Sequence, residues 1–543
     1  MIILKKVYLF LILSITLILS SCSLFDVEGI LAEAKENLII DQEIVAYDFS
    51  LPKSAKSGSY SLQVEWESSS ELIEIVKSKL GTITAKVDFV SNKEKDTDVI
   101  LTATISLFNS STTKEFIVTV PKYDLGAINA KEVAFDNRLD IDGPLTEGCL
   151  PSIGNPKMLV IPVNLDKYNK KDSLLNEIEI AFNGTSEQTG YESVKSYYQK
   201  SSYGKLNLDI NVLDEWFTPE RSKSFYENYY NDRTGDDGSA LLLQEALAYY
   251  DSKIDYSDYD YNNDGFIDGI WLVYNCDVDF LDSSSIYWAF VYWNYDETEY
   301  DGKQAYYYAF GGTDFMHQTK EQAGTYDPTG IKVDAHTFIH ETGHLMGLDD
   351  YYDYEERKGA KGGVYGADMM DYNIGDHSAA SKLLLGWITP TVVSGTGTIT
   401  LDIESFVDTG KCLIVTDRKL LSIYDSYYII EFYTNTGLNE LVKPINGYGI
   451  KITKVNAQKN YVNGVVELNT GTYQCGFKYD NSDEEELFID LICNKNDVKY
   501  NGYSLSGNVL FTEKEALKDD NVFFGLVVNT CTELGANITI TIE

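Results

Sequence analysis

His336-Thr-Phe-Ile-His340-Glu341-Thr-Gly-His344-Leu-Met-Gly347-Leu-Asp349-Asp350 is the stretch on which the reading of this chain turns. On a helix, His340 and His344 lie one turn apart on one face, so both imidazoles can reach one cation, and Glu341 sits beside them to hold a water. The chain has five histidines, none before position 317. An H-E-x-x-H pattern arising by chance from so few has a probability on the order of a few in a thousand. A zinc ion that acts on a peptide needs three protein ligands and one open position. Gly347 lets the chain leave the helix sharply, because it tolerates backbone angles that other residues avoid, and the following residues can swing back to the metal. Asp350 is then the expected third ligand, with Asp349 and Asp353 as alternatives. His336, one turn before His340, reads as a supporting or core residue.

The spacing H-E-x-x-H-x-x-G-x-x-D resembles the metzincins, with aspartate in place of the usual third histidine. Positions 340 to 353 are similar to the immune inhibitor A family of bacterial secreted metallopeptidases, except that Asp349 stands where a proline is common. Other segments look like the same family: Met158 to Leu165 as its first strand, Ser193 to Leu206 as a helix and turn, and Ser381 to Trp387 as a later helix. Together they cover about 156 to 390. The resemblance implies a methionine turn in Gly366-Ala-Asp-Met369-Met370-Asp-Tyr372, with Met370 packing beneath the zinc. It also makes Tyr372 a candidate donor to the oxyanion; His377 is a second candidate, as an imidazolium near the site. The implied reaction is metal-assisted peptide hydrolysis, with Glu341 as general base for a zinc-bound water.

A second metal loop precedes this one. Asp260-Tyr-Asn262-Asn-Asp264-Gly265-Phe-Ile-Asp268 places oxygen ligands at positions 1, 3, 5 and 9 of a calcium loop. Position 12 is Trp271, so any ligand set must be completed elsewhere. Cys149, just before the catalytic region, could in principle hold the zinc as a latency thiolate, but a structural cysteine is the plainer reading.

Further out, residues 44–122 alternate with period two. Leu62, Val64 and Trp66 are one such set, Leu101, Ala103 and Ile105 another, and Phe116, Val118 and Val120 a third; each strand thus has one face for a core. This region resembles a bacterial immunoglobulin-like β-sandwich. Residues 123–155 read as a connector, 156–390 as an α/β (α+β) metzincin-like zinc peptidase domain, and 391–543 as a mostly β accessory region. At the amino terminus, Lys5 and Lys6 precede an apolar run from Val7 to Leu19 that ends Leu-Ser-Ser-Cys22. That pattern resembles a bacterial lipoprotein signal: 1–21 removed, Cys22 lipidated, 22–43 a linker, and the protein held on the outer face of the cell membrane or shed from it. The six remaining cysteines are scattered and suggest no pairing.

Composition sets the outer bounds. At 543 residues the chain is too long for one ordinary domain. Its 44 Lys+Arg against 84 Asp+Glu give −40, which excludes nucleic acid as a partner because phosphates would be repelled. With 41 Tyr and 23 Phe it is not a disordered acidic chain. The expectation is a monomeric multidomain surface endopeptidase acting on proteins or peptides, using Zn2+ and Ca2+. The alternatives are a non-catalytic adhesin binding host glycans or proteins and a hydrolase of non-peptide amides.

Overall fold

The computed structural model describes residues 26–543 apart from 140–147, 166–171, 318–331, 353–363, 467–476 and gaps of five residues or fewer. The signal segment and Cys22 therefore lie outside the described residues. Among the described residues no helix is long and apolar enough to cross a membrane. The protein is multidomain and β-rich. The described residues of 1–124 and 460–467 form one compact unit, and those of 125–459 and 468–543 form another.

The first unit is a β-sandwich. Strands Ser54–Ser57, Tyr60–Ser68, Thr97–Leu107 and Ser110–Val120 make one sheet, and Phe49–Leu51, Ile73–Lys77 and Ile83–Val87 the other. Leu62, Val64, Trp66, Leu101, Ala103 and Ile105 point into a core that Phe49, Leu51, Ile83 and Ala85 close from the opposite sheet. Part of the stretch expected as a linker is instead a helix, Val27–Asn37. Asp26 caps it by accepting from Gly29 N at 2.8 Å, and Leu31, Ala34 and Leu38 enter the sandwich core. Leu31 and Ala34 of the helix and Leu38 just after it, with Val27 and Ile30 partly buried beside them, hold this segment on the sheets.

In the second unit, a five-stranded sheet runs Asp209–Val212, Lys157–Asn164, Ile270–Asn275, Tyr307–Gly312, Phe290–Trp293. The first four strands are parallel and the last, at the edge, is antiparallel. Met158 to Val163 is buried throughout, as an apolar central strand covered on both faces must be. Helix Gly238–Tyr250 packs on one face, while helices Asp172–Asn183, Val194–Ser201 and His336–Leu345 pack on the other.

The expected boundary near 390 falls inside this unit. A six-stranded sheet orders Ile489–Ile492, Tyr448–Asn456, Ser426–Thr434, Cys412–Val415, Thr391–Ser394 and Asn129–Glu132, the last taken from the stretch read as a connector. One face of it, carrying Ile414, Tyr427, Ile429 and Val455, shares a core with the helix His336–Leu345. The other face, carrying Leu413, Val415, Ile430 and Ile452, packs on a three-stranded sheet of Gly397–Glu404, Gly535–Ile542 and Phe524–Thr532. Residues on both sides of 390 thus bury one another.

Candidate metal centre

Every residue of the helix His336–Leu345 is buried. Trp271, from the five-stranded sheet, donates its indole N–H to Thr342 Oγ1 at 3.1 Å, and Tyr198 donates its hydroxyl to the Ile339 carbonyl at 2.7 Å. The helix therefore rests on two neighbouring elements by polar as well as apolar contacts. It stops where Gly347 takes φ +92°. Gly347 N and Leu348 N then donate to the His344 and Gly343 carbonyls at 2.8 and 3.2 Å, satisfying groups that a helix end would otherwise leave bare. The reversal brings Asp350 back beneath the histidines.

The result is a triangle of donor atoms. His340 Nε2 lies 3.0 Å from Asp350 Oδ1, His344 Nε2 lies 3.2 Å from it, and the two Nε2 atoms are 3.1 Å apart. Three ligands bonded to zinc at ~2.0–2.1 Å in a tetrahedron stand about 3.3 Å from one another, so the triangle has the size of one tetrahedral face. The outer nitrogens set the tautomers: His340 Nδ1 donates to the Met369 carbonyl at 3.1 Å and His344 Nδ1 to the Leu348 carbonyl at 2.7 Å. With both Nδ1 atoms carrying hydrogens, the Nε2 lone pairs of the neutral rings converge on one point with a carboxylate oxygen. Such an arrangement could hold a cation. A proton on His344 would compete with a cation for the Nε2 lone pair. Burial opposes a charged His344, yet Asp350 beside it carries the imidazole up to about 10. Burial likewise opposes a charged Asp350, and His344 and His340 overcome it, holding the carboxyl well below the usual range. Burial pushes Glu341 up, with both imidazoles opposing.

The turn at Met369–Tyr372 holds this arrangement from below. Asp368 caps it by accepting from Met370 N at 2.9 Å and also takes bonds from Ser378 N and Ser381 Oγ, both at 2.7 Å. The Met370 sulfur lies against Gly343, and its carbonyl accepts from Tyr351 N at 2.9 Å. Lys451 donates to the Ala367 carbonyl at 3.2 Å, and its partner Glu431, 2.8 Å away, accepts from Ala379 N at 2.9 Å. This buried pair fixes both ends of the segment that carries the turn.

The other sequence candidates fall around the triangle. His377 is buried, with Nδ1 3.2 Å from Asp368 Oδ1 and its ring among Tyr197, Tyr198 and Trp387. That is a supporting position, one layer away from the donors. Tyr372 belongs to the turn, but its side chain lies outside the described residues, as does all of Asp353. His336 stacks on Tyr191 at 4.5 Å and lies 3.2 Å from Asp334. Asp349 is buried beside Asp350, accepts its N–H at 3.0 Å, and is pushed up to about 7, first by burial and then by the Asp350 charge. One residue escaped the sequence reading. The Tyr352 ring stacks over His340 with centroids 6.4 Å apart, and its phenol bonds to Asp350 at the rim of the site. Only its adjacency to Asp350 could have signalled it.

The acidic loop is also assembled. Asp260, Asp264 and Asp268 each bring an oxygen within 4.8 Å of the others. Asp260 accepts from Asp264 N and Gly265 N at 3.0 and 3.1 Å, Asp268 accepts from Tyr261 N at 2.6 Å, and Asn262 Nδ2 donates to Asp264 at 3.0 Å. Lys303 is ion-paired with Asp260, so one positive charge already serves the loop. Trp271, at position 12, is buried in its strand and committed to the helix His336–Leu345. Cys149 is buried and belongs to neither donor cluster; Cys276, Cys412 and Cys531 are free thiols, and Cys475 lies outside the described residues.

Among known families, the atrophied bacterial Ig domain matches residues 31–123, which is the β-sandwich with most of its added helix. No curated protein matches the chain.

Proposed function

We propose that this protein is a zinc-dependent endopeptidase of the immune inhibitor A type, acting on extracellular proteins and tethered to the outer membrane face through Cys22. The donor triangle of His340, His344 and Asp350, with buried Glu341 next to it, carries this reading. A zinc ion held by His340, His344 and Asp350 would supply Lewis acidity, polarising a peptide carbonyl and acidifying a water. Glu341 takes the proton from the water and returns it to the leaving amine. Its raised proton affinity brings it nearer working pH, which favours both halves of that task. Tyr352 and Tyr372 are the phenols from which a hydrogen bond to the oxyanion would come. The Asp260 loop is proposed to bind calcium once Lys303 swings away, stiffening the strand that leads to Trp271 and the zinc helix.

Cleavage of casein by the full-length chain, abolished by a zinc chelator and restored by zinc, tests the proposal. Glu341→Gln should keep one equivalent of zinc while kcat falls by roughly 10²–10⁴-fold or more. A zinc-loaded wild type that cleaves no unfolded protein would sink it and favour the adhesin reading, for which the Ig-domain match is the supporting observation. Calcium should raise the thermal midpoint of wild type but not of Asp268→Asn.

A further inference from the structure

Asp350 reaches the donor triangle on a short irregular segment whose backbone is held from two sides. On one side Tyr351 N donates to the Met370 carbonyl at 2.9 Å. On the other, the Tyr351 carbonyl accepts from Asn481 Nδ2 at 2.9 Å. Asn481 lies 130 residues further along the chain, in the region read from sequence as accessory, and is almost fully buried. Its remaining bonds lock it in place: Nδ2 also donates to the Ile489 carbonyl at 3.0 Å and Oδ1 accepts from Ile489 N at 2.9 Å. Phe488 packs its ring 5.8 Å from that of Tyr351. The edge strand Ile489–Ile492 of the six-stranded sheet is thereby wired through one amide to the residue that follows the third donor.

Resting on the zinc reading above, we infer that Asn481 is a positioning residue of the metal centre, fixing the Tyr351 peptide so that Asp350 meets His340 and His344. The C-terminal β region thus completes the site. Three ligands define a tetrahedral face only if each is held to a fraction of an ångström, and Asp350, on irregular backbone, lacks the helix that holds the histidines. Two peptide hydrogen bonds, to Met370 and from Asn481, take the place of that helix.

Asn456 provides the control, because it grips the same C-terminal segment without touching the Asp350 loop. Its Nδ2 donates to the Leu487 carbonyl at 2.7 Å and its Oδ1 accepts from Ser426 Oγ at 2.7 Å. Zinc affinity is measured on the full-length chain by competition with a chromophoric chelator, and ligand geometry by the visible spectrum of the cobalt(II)-loaded protein. Asn481→Ala should weaken zinc binding by about 10–100-fold and alter the cobalt bands, whereas Asn456→Ala should leave both at wild-type values even where its thermal midpoint falls as far. Asn481→Ser serves if Asn481→Ala does not fold, with the same expectation. Wild-type affinity and spectrum in an Asn481 variant, or equal loss in both asparagine variants, overturns the inference alone. Absence of a zinc equivalent that His344→Ala removes overturns the functional reading and this inference with it.

Discussion

Gly343, between His340 and His344 of the proposed zinc site, has no room for a side chain: a Cβ there would stand 2.6 Å from the Met370 sulfur. Gly343→Ala should therefore cost about 1–3 kcal/mol through overpacking, seen as a lower thermal midpoint, and should disturb zinc binding because Met370 must retreat. Asp425 makes a pH prediction. Burial pushes its carboxyl up to about 6, with Arg418 opposing. A group that holds its proton more tightly folded than unfolded stabilises below its unfolded pKa, and that contribution is lost as pH rises through the folded value. Between about pH 4 and 6 the protein should lose roughly 2 kcal/mol at this site, an estimate from two pKa units. Thermal melts of Asp425→Asn across that window should be flatter than wild type by this amount. At this scale the site was legible where spacing is local. His340, Glu341, His344 and Asp350 lie within eleven residues, so helix geometry and one glycine turn predict their meeting. Asn481 was not legible, because nothing in a sequence marks an asparagine that will bond a peptide 130 residues away.

Among the elements, the turn after the helix His336–Leu345 is the most exposed to test. Gly347→Ala would force a Cβ into the left-handed region, costing roughly 1–2 kcal/mol, and bring it 3.1 Å from Leu139. Since this turn delivers Asp350 while the histidines ride on the helix, zinc affinity should drop with little change in far-ultraviolet circular dichroism. Strands were legible where one face meets a core and the other water, as in Tyr60–Ser68 and Thr97–Leu107. Apolar runs also announced Lys157–Asn164 and Ser426–Thr434. The helix Val27–Asn37 escaped, since its buried stripe is only Leu31 and Ala34. Strand Asn129–Glu132 escaped too: it is a polar edge strand whose place is set by backbone pairing to Thr391–Ser394.

For the whole molecule, the sequence placed a boundary at 390 because composition shifts there from mixed helix and strand to strand alone. Packing ignores that shift. A chain ended at residue 390 would lose the sheet that covers the metal-side core and, with it, Glu431, Lys451 and Asn481. It should be recovered insoluble or without zinc, as metal analysis after refolding would show; a soluble fragment with a full zinc equivalent would contradict the shared core. Along Ser426–Thr434 the odd-numbered Tyr427, Ile429 and Tyr433 belong to the metal-side core, and the even-numbered Tyr428, Ile430 and Phe432 to the sandwich behind it. In evolutionary terms this strand is a ratchet. Point changes can drift on either face independently, but inserting or deleting one residue exchanges the two sets and spoils both cores at once. Its length is therefore fixed by two cores at once, while a change on one face leaves the other face in place.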